Sequence, residues 1–421
     1  MKAVICGAGI AGLSLAQRLT NIGWDVVVIE ESPGPREQGY MMDFFELGYD
    51  AAQSMGLLPR LQELSYRVEE VRYVDESGRR RAGLDYARFE RSVSGRLLSI
   101  MRPDLELALR ELVIDQVDLR YGCSITHLEN STSGVQVSLT DGTVAGADLL
   151  IGADGIHSTV RRMVFGDEEQ FFRYLGYHTA AYIFDDPQIH DSMHNRFCLT
   201  DTTDRQMGFY GLRDGSIVAF AVHRTLDPTL PDDTQQAVRQ AYSSLGWVVP
   251  QALVKCPTSS ALYYDQVAQI EVPRWSRGRV TLVGDACQAV SLLAGQGAAL
   301  AIAGAYVLGE QLASANSVDA ALAQYQQLWQ PVITNKQQVA RRGAGWFLPS
   351  SSRQLWLRRI IMKLTDLPGV AKYVGTTLAG KSHASIEDLS RKASTALPLT
   401  PTSGSHSRPA PHRAATSSSC A

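Results

Sequence analysis

The stretch KAVICGAGIAG, residues 2–12, predicts the fold of the N-terminal part of the chain. Its first five residues form an apolar run typical of a buried strand, and the glycines follow at once. Beyond them, Leu13, Leu15 and Leu19 belong to a pattern typical of a helix. Strand, glycine turn and helix in this order predict a dinucleotide-binding unit, in which phosphate groups meet the positive N-terminus of the helix.

The three glycines of this turn are expected to do different things. Gly7 permits the tight turn, Gly9 lets the backbone approach a pyrophosphate, and Gly12 allows the helix to pack closely on the strand. A second apolar strand over residues 25–29 ends at Glu30, at the spacing expected for a carboxylate that binds ribose hydroxyls. Because the strand and its acid follow directly, residues 1–20 are not interpreted as a signal peptide.

A second informative stretch is GDACQAVSLLAGQGA, residues 284–298, in which an acidic residue and a glycine turn follow a buried strand predicted over residues 279–283. Residues 286–309 carry no formal charge, and their length alone would suit a membrane span. Their polar residues and many small residues instead favour a buried helix from about Gln296 to Leu312. No membrane span is therefore expected.

Composition narrows the class of protein. A chain of 421 residues suits about two structural units. The net charge of −3, with no dense block of Lys and Arg, argues against a nucleic-acid or anionic-membrane partner. The six cysteines are scattered without a Cys-x-x-Cys pair, which favours a reducing cytoplasm and argues against disulfide reductase chemistry.

Local patterns predict the organisation between these motifs. Residues 135–139 and a strand near 147–151 are predicted to form a hairpin around Asp141-Gly142. From 172 to 272, apolar and polar residues alternate as they do in β-strands, which predicts a β-sheet unit. A helix over 233–245 is expected to cover that sheet. Pro331 is expected to kink or divide the helical stretch that contains it.

Three motifs stand in one order along the chain. They are the Gly7 fingerprint with Glu30, the Asp154-Gly155 segment, and the Asp285 segment with its glycine turn. Together they resemble the class A flavin-dependent monooxygenases, the para-hydroxybenzoate hydroxylase-like family, over about residues 1–345.

The resemblance implies an α/β fold with a Rossmann-like, glutathione reductase-like FAD-binding domain and an inserted β-rich substrate domain. The expected FAD-binding domain is discontinuous, over 1–171 and 273–345, and the β-sheet substrate domain takes 172–272. C-terminal helices are expected over 346–394, followed by a disordered tail over 395–421 that is rich in Ser, Thr and Pro.

The resemblance also assigns cofactor-binding residues. Asp285 would bind ribityl or pyrophosphate oxygens, and the helix that begins at the glycine turn would face the flavin ring. Asp154 and Gly155 match a motif for both FAD and NADPH, although a turn that closes the preceding strand is the alternative. For Arg36 and Arg102 the alternative is an exposed ion pair, and for Asp285 it is a helix cap or turn. The full expected set is Gly7, Gly9, Ala11, Gly12, Glu30, Arg36, Arg102, Asp154, Gly155, Asp285, Gly295, Gln296, Gly297 and Ala298.

The implied activity is that of an FAD-dependent, NAD(P)H-consuming monooxygenase that hydroxylates or epoxidises a small aromatic or polyketide-like substrate. Molecular oxygen would react through a flavin C4a-hydroperoxide, with NADPH as the reductant, no metal, and a monomer or homodimer as the working form. Two alternatives stay open: a flavin-dependent reductase of isoprenoid-type double bonds and a non-catalytic FAD-binding protein. A halogenase is disfavoured because its Trp-x-Trp-x-Ile segment is absent from the sequence.

The chain departs from the family pattern at Gln288, where a histidine is common, and at Ser291 and Leu292, where prolines are common. No catalytic residue is assigned from the sequence. Candidates to line or polarise a substrate pocket in the β-rich region are Phe197, Phe209, Tyr210, Phe220, His178 and Arg213, for each of which a structural role is the alternative.

Overall fold

The structure is a computed structural model that describes residues 1–364, apart from Glu37, Leu293 and Ala294, together with Ile386. The helices expected over 346–394 are therefore described as far as residue 364. The predicted disordered tail, 395–421, lies outside the described residues. Ile386 is helical and belongs to the largest hydrophobic core.

The described strands follow one another in chain order. They are β1 (Lys2–Cys6), β2 (Asp25–Glu30), β3 (Met41–Phe45), β4 (Glu70–Val74), β5 (Arg80–Asp85), β6 (Leu97–Met101), β7 (Asp118–Tyr121), β8 (Ile125–Asn130), β9 (Val135–Leu139), β10 (Val144–Ala147), β11 (Leu149–Gly152), β12 (Phe172–Asp185), β13 (Arg196–Thr200), β14 (Arg205–Gly211), β15 (Ser216–Arg224), β16 (Tyr263–Ile270), β17 (Ser276–Arg277) and β18 (Val280–Leu282).

The described α-helices are α1 (Ile10–Asn21), α2 (Leu47–Ser54), α3 (Leu58–Leu64), α4 (Tyr86–Ser92), α5 (Arg102–Val113), α6 (Thr159–Val164), α7 (Pro187–Met193), α8 (Thr234–Tyr242), α9 (Val249–Val254), α10 (Asp285–Gln288), α11 (Gly297–Ser314), α12 (Val318–Phe347) and α13 (Ser352–Leu364). Two 3₁₀ turns cover Glu168–Gln170 and Ser259–Ala261.

A six-stranded sheet forms the centre of the first structural unit, in the order β17-β18-β11-β1-β2-β7. All of its neighbouring strands run parallel except β17 and β18. Strand β1 lies between β2 and β11, and its residues Ala3 to Ile5 are fully buried, as expected for a strand with both faces covered. The predicted α/β fold with a Rossmann-like FAD-binding unit is confirmed.

Helix α11 packs against both α1 and α2 in this unit, and small residues make the close approach possible. A Cβ at Gly48 would lie 2.5 Å from the Cα of Ala299, so α2 and α11 touch nearly backbone to backbone. The predicted buried helix at 296–312 is confirmed with slightly shifted bounds. Among the described residues, no helix has the length and apolar character needed to cross a membrane.

A seven-stranded sheet forms the second unit, in the order β16-β12-β15-β14-β13-β4-β5. Strands β4 and β5 precede the other five by a long stretch of chain, and β4 pairs parallel with β13. Val238 and Tyr242 of α8 are fully buried against one face of this sheet, as the sequence predicted. The boundaries 172–272 stay a prediction, but the sheet itself extends beyond them into residues 70–85.

The predicted hairpin around Asp141-Gly142 has a different return strand. Strand β9 pairs with β10, while β11, which follows after Asp148, joins β1 in the six-stranded sheet. The prediction merged two short strands, β10 and β11, that belong to different sheets. Of the two effects expected of Pro331, division of the helix does not occur, because α12 continues through it from Val318 to Phe347, and the kink stays a prediction.

Candidate functional site

A cleft of about 1000 Å³, including space open to solvent, lies where the six-stranded sheet unit meets strand β16 of the other sheet. It brings together residues from all three sequence motifs. The expected cofactor-binding residues that line it are Gly9, Ala11, Arg102, Gly155, Asp285, Gly295, Gly297 and Ala298. The others, Gly7, Gly12, Glu30, Arg36, Asp154 and Gln296, lie behind or beside this surface.

Gly7 and Gly12 allow backbone segments to pack directly behind the cleft. Gly7 has a φ of +111°, and a Cβ there would lie 2.4 Å from the carbonyl oxygen of Ala153. A Cβ at Gly12 would lie 1.9 Å from the carbonyl oxygen of Gly7. Gly9 is different, because the nearest atom to a Cβ at that position would be Glu106 Oε1, at 3.7 Å. Its backbone is therefore open to an approaching group.

Glu30 ends β2 with its carboxylate partly buried near the glycine turn. Its Oε2 accepts a hydrogen bond from the backbone N–H of Ala8 at 2.8 Å, and its Oε1 accepts one from Ser32 at 3.0 Å. Arg36 lies 3.8 Å from Glu30, and its side chain is 59% exposed. Glu30 thus orients the turn, while Arg36 forms the peripheral ion pair that the sequence left as an alternative.

Asp154 supports the first turn of α6, whose N-cap is Ser158, while Gly155 lines the cleft. The Asp154 carboxylate accepts hydrogen bonds from Ser158 Oγ at 2.5 Å and from the backbone N–H of Val160 at 3.0 Å. Burial raises the pKa of Asp154, although these hydrogen bonds favour the charged form. The Asp154 carboxylate therefore stabilises the conformation of the loop that leads into α6.

Asp285 is the carboxylate that faces the cleft. It follows Gly284, whose φ is +62°, and its side chain is exposed to the cleft. In the part of the chain that the structure describes, no group donates a hydrogen bond to it. Burial within the surrounding protein raises its pKa, and the positive charge of Arg102 opposes this effect. An exposed carboxylate in this position suits a ligand that carries hydroxyl donors.

Arg102 begins α5 and lines the cleft close enough to Asp285 for the two charges to interact. Its guanidinium lies 2.7 Å from the Glu106 carboxylate one turn along the helix. Tyr40 lines the same wall, and burial raises the pKa of its phenol to about 12, despite the nearby charge of Arg102. Tyr40 therefore stays protonated near neutral pH and is able to donate a hydrogen bond.

The N-terminus of α11 points at the cleft. Gln296 is its N-cap, and Gly297 and Ala298 supply its first backbone N–H groups. Among the described residues, no neighbouring atom lies within 4 Å of a Cβ built at Gly295 or Gly297, so no described group covers this backbone. An 18-residue helix carries a partial positive charge at this end, which favours an anionic group in the cleft.

An aromatic group forms another part of the site, and most of it was missed by the sequence analysis. The Tyr40 ring lies 5.6 Å from Phe220 and 5.8 Å from Tyr263, between ring centroids. Tyr40 and Tyr263 line the cleft, and Phe220 extends their surface onto β15. Tyr40 follows a proline- and glycine-rich loop, so no periodic sequence pattern identified it as a residue of the site.

The other pocket candidates separate onto the two faces of the sheet. Phe220, Phe197 and Tyr210 lie on the face towards the first unit, where Phe197 and Tyr210 contact edge to face at 5.2 Å. Phe209 lies in the core on the opposite face, against Trp247. Alternation along the strands accounts for this division.

His178 and Arg213 do not line the cleft. His178 Nδ1 lies 3.1 Å from the Tyr264 hydroxyl, in an aromatic cluster behind the cleft-facing side of the sheet. Arg213 lies over the Tyr66 ring at 4.3 Å and donates to the carbonyl oxygen of Ser65. Both make structural contacts, as their alternatives stated.

Gln288 and Ser291, where the chain departs from the family pattern, have distinct settings. Gln288 is buried, accepts a hydrogen bond from Trp329 Nε1 at 2.7 Å and donates to Leu300 at 3.2 Å. It therefore ties α10 to α11 and α12. Ser291 lines the cleft with a φ of +143°, a value that a proline ring cannot adopt.

Comparisons with known proteins agree with this geometry. A family model described as "FAD binding domain" matches residues 1–340. An uncharacterized protein of Mycobacterium tuberculosis is 34% identical over 330 residues, which cover 74% of this chain and 85% of that protein. The FAD-dependent monooxygenase asL6 of Sarocladium schorii is 29% identical over 386 residues, or 82% and 88% of the two chains.

Solved structures share the fold over nearly their whole length. The tetracycline destructase Tet(55) superposes with a TM-score of 0.75 and 26% identity, covering 89% of this chain and 97% of that one. A salicylate hydroxylase in complex with substrate gives a TM-score of 0.70 at 17% identity, covering 93% and 98%, which is a likeness of fold alone.

The chain belongs to the FAD-binding family that this model describes, and its relatives include proteins named flavin-dependent monooxygenases. It is an FAD-dependent oxidoreductase of that class. The resemblance inferred from the three sequence motifs is confirmed.

Proposed function

We propose that this enzyme uses NAD(P)H, FAD and molecular oxygen to hydroxylate or epoxidise a small aromatic or polyketide-like substrate. The observation that carries the proposal is the cleft itself. One cleft joins the open glycine turn at Gly9, the exposed Asp285 carboxylate and the N-terminus of α11 to the rings of Tyr40 and Tyr263, with Phe220 packed against Tyr40.

The residues present fit an extended FAD molecule. Gly9 and the N-terminus of α1 would receive the pyrophosphate, because their backbone is open and carries positive partial charge. Asp285 would accept hydrogen bonds from ribityl hydroxyls, and Arg102 would add a positive charge nearby. The N-terminus of α11 would face the part of the flavin that becomes negative on reduction.

When bound, FAD supplies the electron transfer and oxygen chemistry, and the protein supplies binding, orientation and a shielded environment. Tyr40 and Tyr263 present aromatic faces for a planar substrate. Burial raises the pKa of both phenols, so each is able to donate a hydrogen bond to a substrate oxygen near neutral pH. No residue is assigned as a general base.

The reductant and the cellular setting belong to the same proposal. NADPH is proposed because the Asp154-Gly155 segment, whose Gly155 lines the cleft, matches the family motif for FAD and NADPH, and the lack of a second glycine fingerprint in the sequence agrees with transient binding of the reductant. The scattered cysteines favour the reducing cytoplasm as the place of action.

The test uses the full chain loaded with its flavin. The bound cofactor is extracted and identified by mass, and NADPH and NADH oxidation are followed with panels of phenols, anilines and polycyclic aromatics under labelled oxygen. We expect one class to accelerate NADPH oxidation at least about tenfold and to give a product that contains one labelled oxygen atom.

Two results would contradict the proposal. A product heavier by two hydrogens and free of label, obtained with isoprenoid substrates, would establish a double-bond reductase. NAD(P)H oxidation that no substrate accelerates, in material with full FAD occupancy, would favour a protein that binds FAD without turnover.

A further inference from the structure

His157 links the two structural units at the wall of the cleft. It follows the Asp154-Gly155 motif, and its ring stacks on Phe172 of β12 at 5.8 Å between centroids. Its Nδ1 lies 2.9 Å from Glu168 Oε1, and its Nε2 lies 3.6 Å from Asp265 Oδ1. Each ring nitrogen therefore faces a carboxylate, an arrangement that favours the imidazolium form.

Asp265 is the second carboxylate that lines the cleft. It lies on β16, where Gln266 donates its backbone N–H to Oδ1 at 2.7 Å and the Tyr263 hydroxyl lies 3.5 Å from Oδ2. Its negative charge reaches Asp285 across the cleft and contributes to the raised pKa of that residue. The negative charge of Asp265 therefore acts on the part of the cleft where the cofactor is expected to bind.

A further set of contacts holds His157 in place from behind. Glu168 also accepts from Arg161 at 2.9 Å, and Arg161, which is fully buried, donates to the carbonyl oxygen of Ala286 at 2.9 Å. The chain of contacts therefore runs from Asp265 through His157, Glu168 and Arg161 to the backbone next to Asp285.

We propose that His157 is a positioning residue that fixes the Asp265 carboxylate on the cleft wall and neutralises its charge towards the flavin. The inference rests on the proposed binding of FAD in this cleft. It concerns the charge balance of the site, through Asp265, rather than any direct contact between His157 and a substrate.

The physical argument is electrostatic. Two-electron reduction makes the flavin anionic, so an uncompensated carboxylate in the same cleft disfavours the reduced form more than the oxidised form. With His157 protonated, the Asp265 charge is balanced. The Asp265 carboxylate, followed by that of Glu168, raises the pKa of His157 to about 9 against the opposing effect of burial, so the balance holds at neutral pH.

The experiment measures the midpoint potential and the FAD dissociation constant of the full chain carrying His157→Gln, Asp265→Asn or both. We expect His157→Gln to weaken binding of reduced relative to oxidised flavin by about threefold to tenfold, where tenfold corresponds to about 30 mV for a two-electron couple. Asp265→Asn should shift the potential the other way. The double variant should match Asp265→Asn, because His157 acts only through that carboxylate.

The pH profile gives an independent readout. The charged groups that face His157 are Glu168 and Asp265, with Arg161 behind Glu168 and Asp285 and Arg102 across the cleft. As the pH rises through about 9, His157 loses its proton and the wild-type potential should fall by an additional step. That step should be missing from His157→Gln and from Asp265→Asn.

His127→Gln is the control, since this exposed histidine pairs with Glu129 at 3.7 Å on β8, outside the cleft lining. A potential unchanged in His157→Gln, or a double variant that differs from the wild type by the sum of both single changes, would overturn the inference. Failure of the wild-type chain to bind FAD at all would instead contradict the proposed function. Melting curves of each variant identify any loss of folding.

Discussion

Asp285 is the residue on which FAD affinity should depend most directly. Asp285→Asn keeps the shape but loses the charge, and we expect the dissociation constant for FAD to rise about 10- to 100-fold, the range for a lost hydrogen bond to a charged group. Fluorescence titration of the apoprotein measures this. Asp141→Asn, on the exposed β9–β10 turn, is the matched control. Equal affinity in both variants would remove Asp285 from the site.

The φ angle of Ser291 allows a test of one departure from the family pattern, the serine that stands where a proline is common. Because its φ is +143°, Ser291→Pro should lower the free energy of unfolding by more than about 1 kcal/mol and reduce FAD retention. Ser291→Gly, which tolerates this angle, should match or exceed the wild type. Denaturant melts and bound-flavin absorbance check both. A fully stable, yellow proline variant would show that the loop adopts another conformation.

At the scale of elements, the β1–α1 turn depends on the missing side chain of Gly12. Gly12→Ala would place a Cβ 1.9 Å from a backbone oxygen, so the helix must move away from the strand. We expect a loss of about 1–3 kcal/mol or more, with loss of bound FAD. Gly146→Ala is the control, since no atom lies within 4 Å of its Cβ position. Equal urea midpoints for the two variants would contradict this account.

The sequence predicts those elements whose signals are local. The apolar strand at 2–6, its glycines and Glu30 lie within thirty residues, so spacing alone placed them. The return strand of the β9 hairpin was mistaken because sheet membership depends on distant partners, and only Asp148 separates β10 from β11. Tyr40 and Tyr263 are separated by more than two hundred residues in the sequence, but their rings are neighbours in the fold. Neither residue lies in a local sequence pattern that predicts a pocket.

The whole molecule should lose stability in acid through its buried histidines. Burial, with a further contribution from His178, lowers the pKa of His223 to about 4, while the unfolded chain has the ordinary value near 6.5. Between these values the unfolded state binds more protons, so stability falls as the pH drops from about 6.5 towards 4. His223→Gln should flatten this slope in melts at fixed pH steps. An unchanged slope would assign the effect to other groups.

Attachment of helix α13 should depend on one buried carboxylate. Asp201, fully buried, accepts from Arg358 at 2.8 Å and also binds Arg359. Asp201→Ala leaves Arg358 buried without its counter-charge, which should cost about 3–5 kcal/mol. Glu111→Ala, which removes an exposed partner of Arg60, should cost about 1 kcal/mol or less. Similar losses in both variants would contradict this difference.

Strands β4 and β5 have a consequence for how the chain is made. They leave the ribosome about a hundred residues before β13, the strand they must pair with, so the nascent hairpin has no partner for several seconds of synthesis. An unpaired strand edge invites pairing with other chains during that interval. Heterologous production should therefore benefit from added chaperones that cover the unpaired strands, and a fragment of residues 172–272, which lacks β4 and β5, should precipitate when made alone.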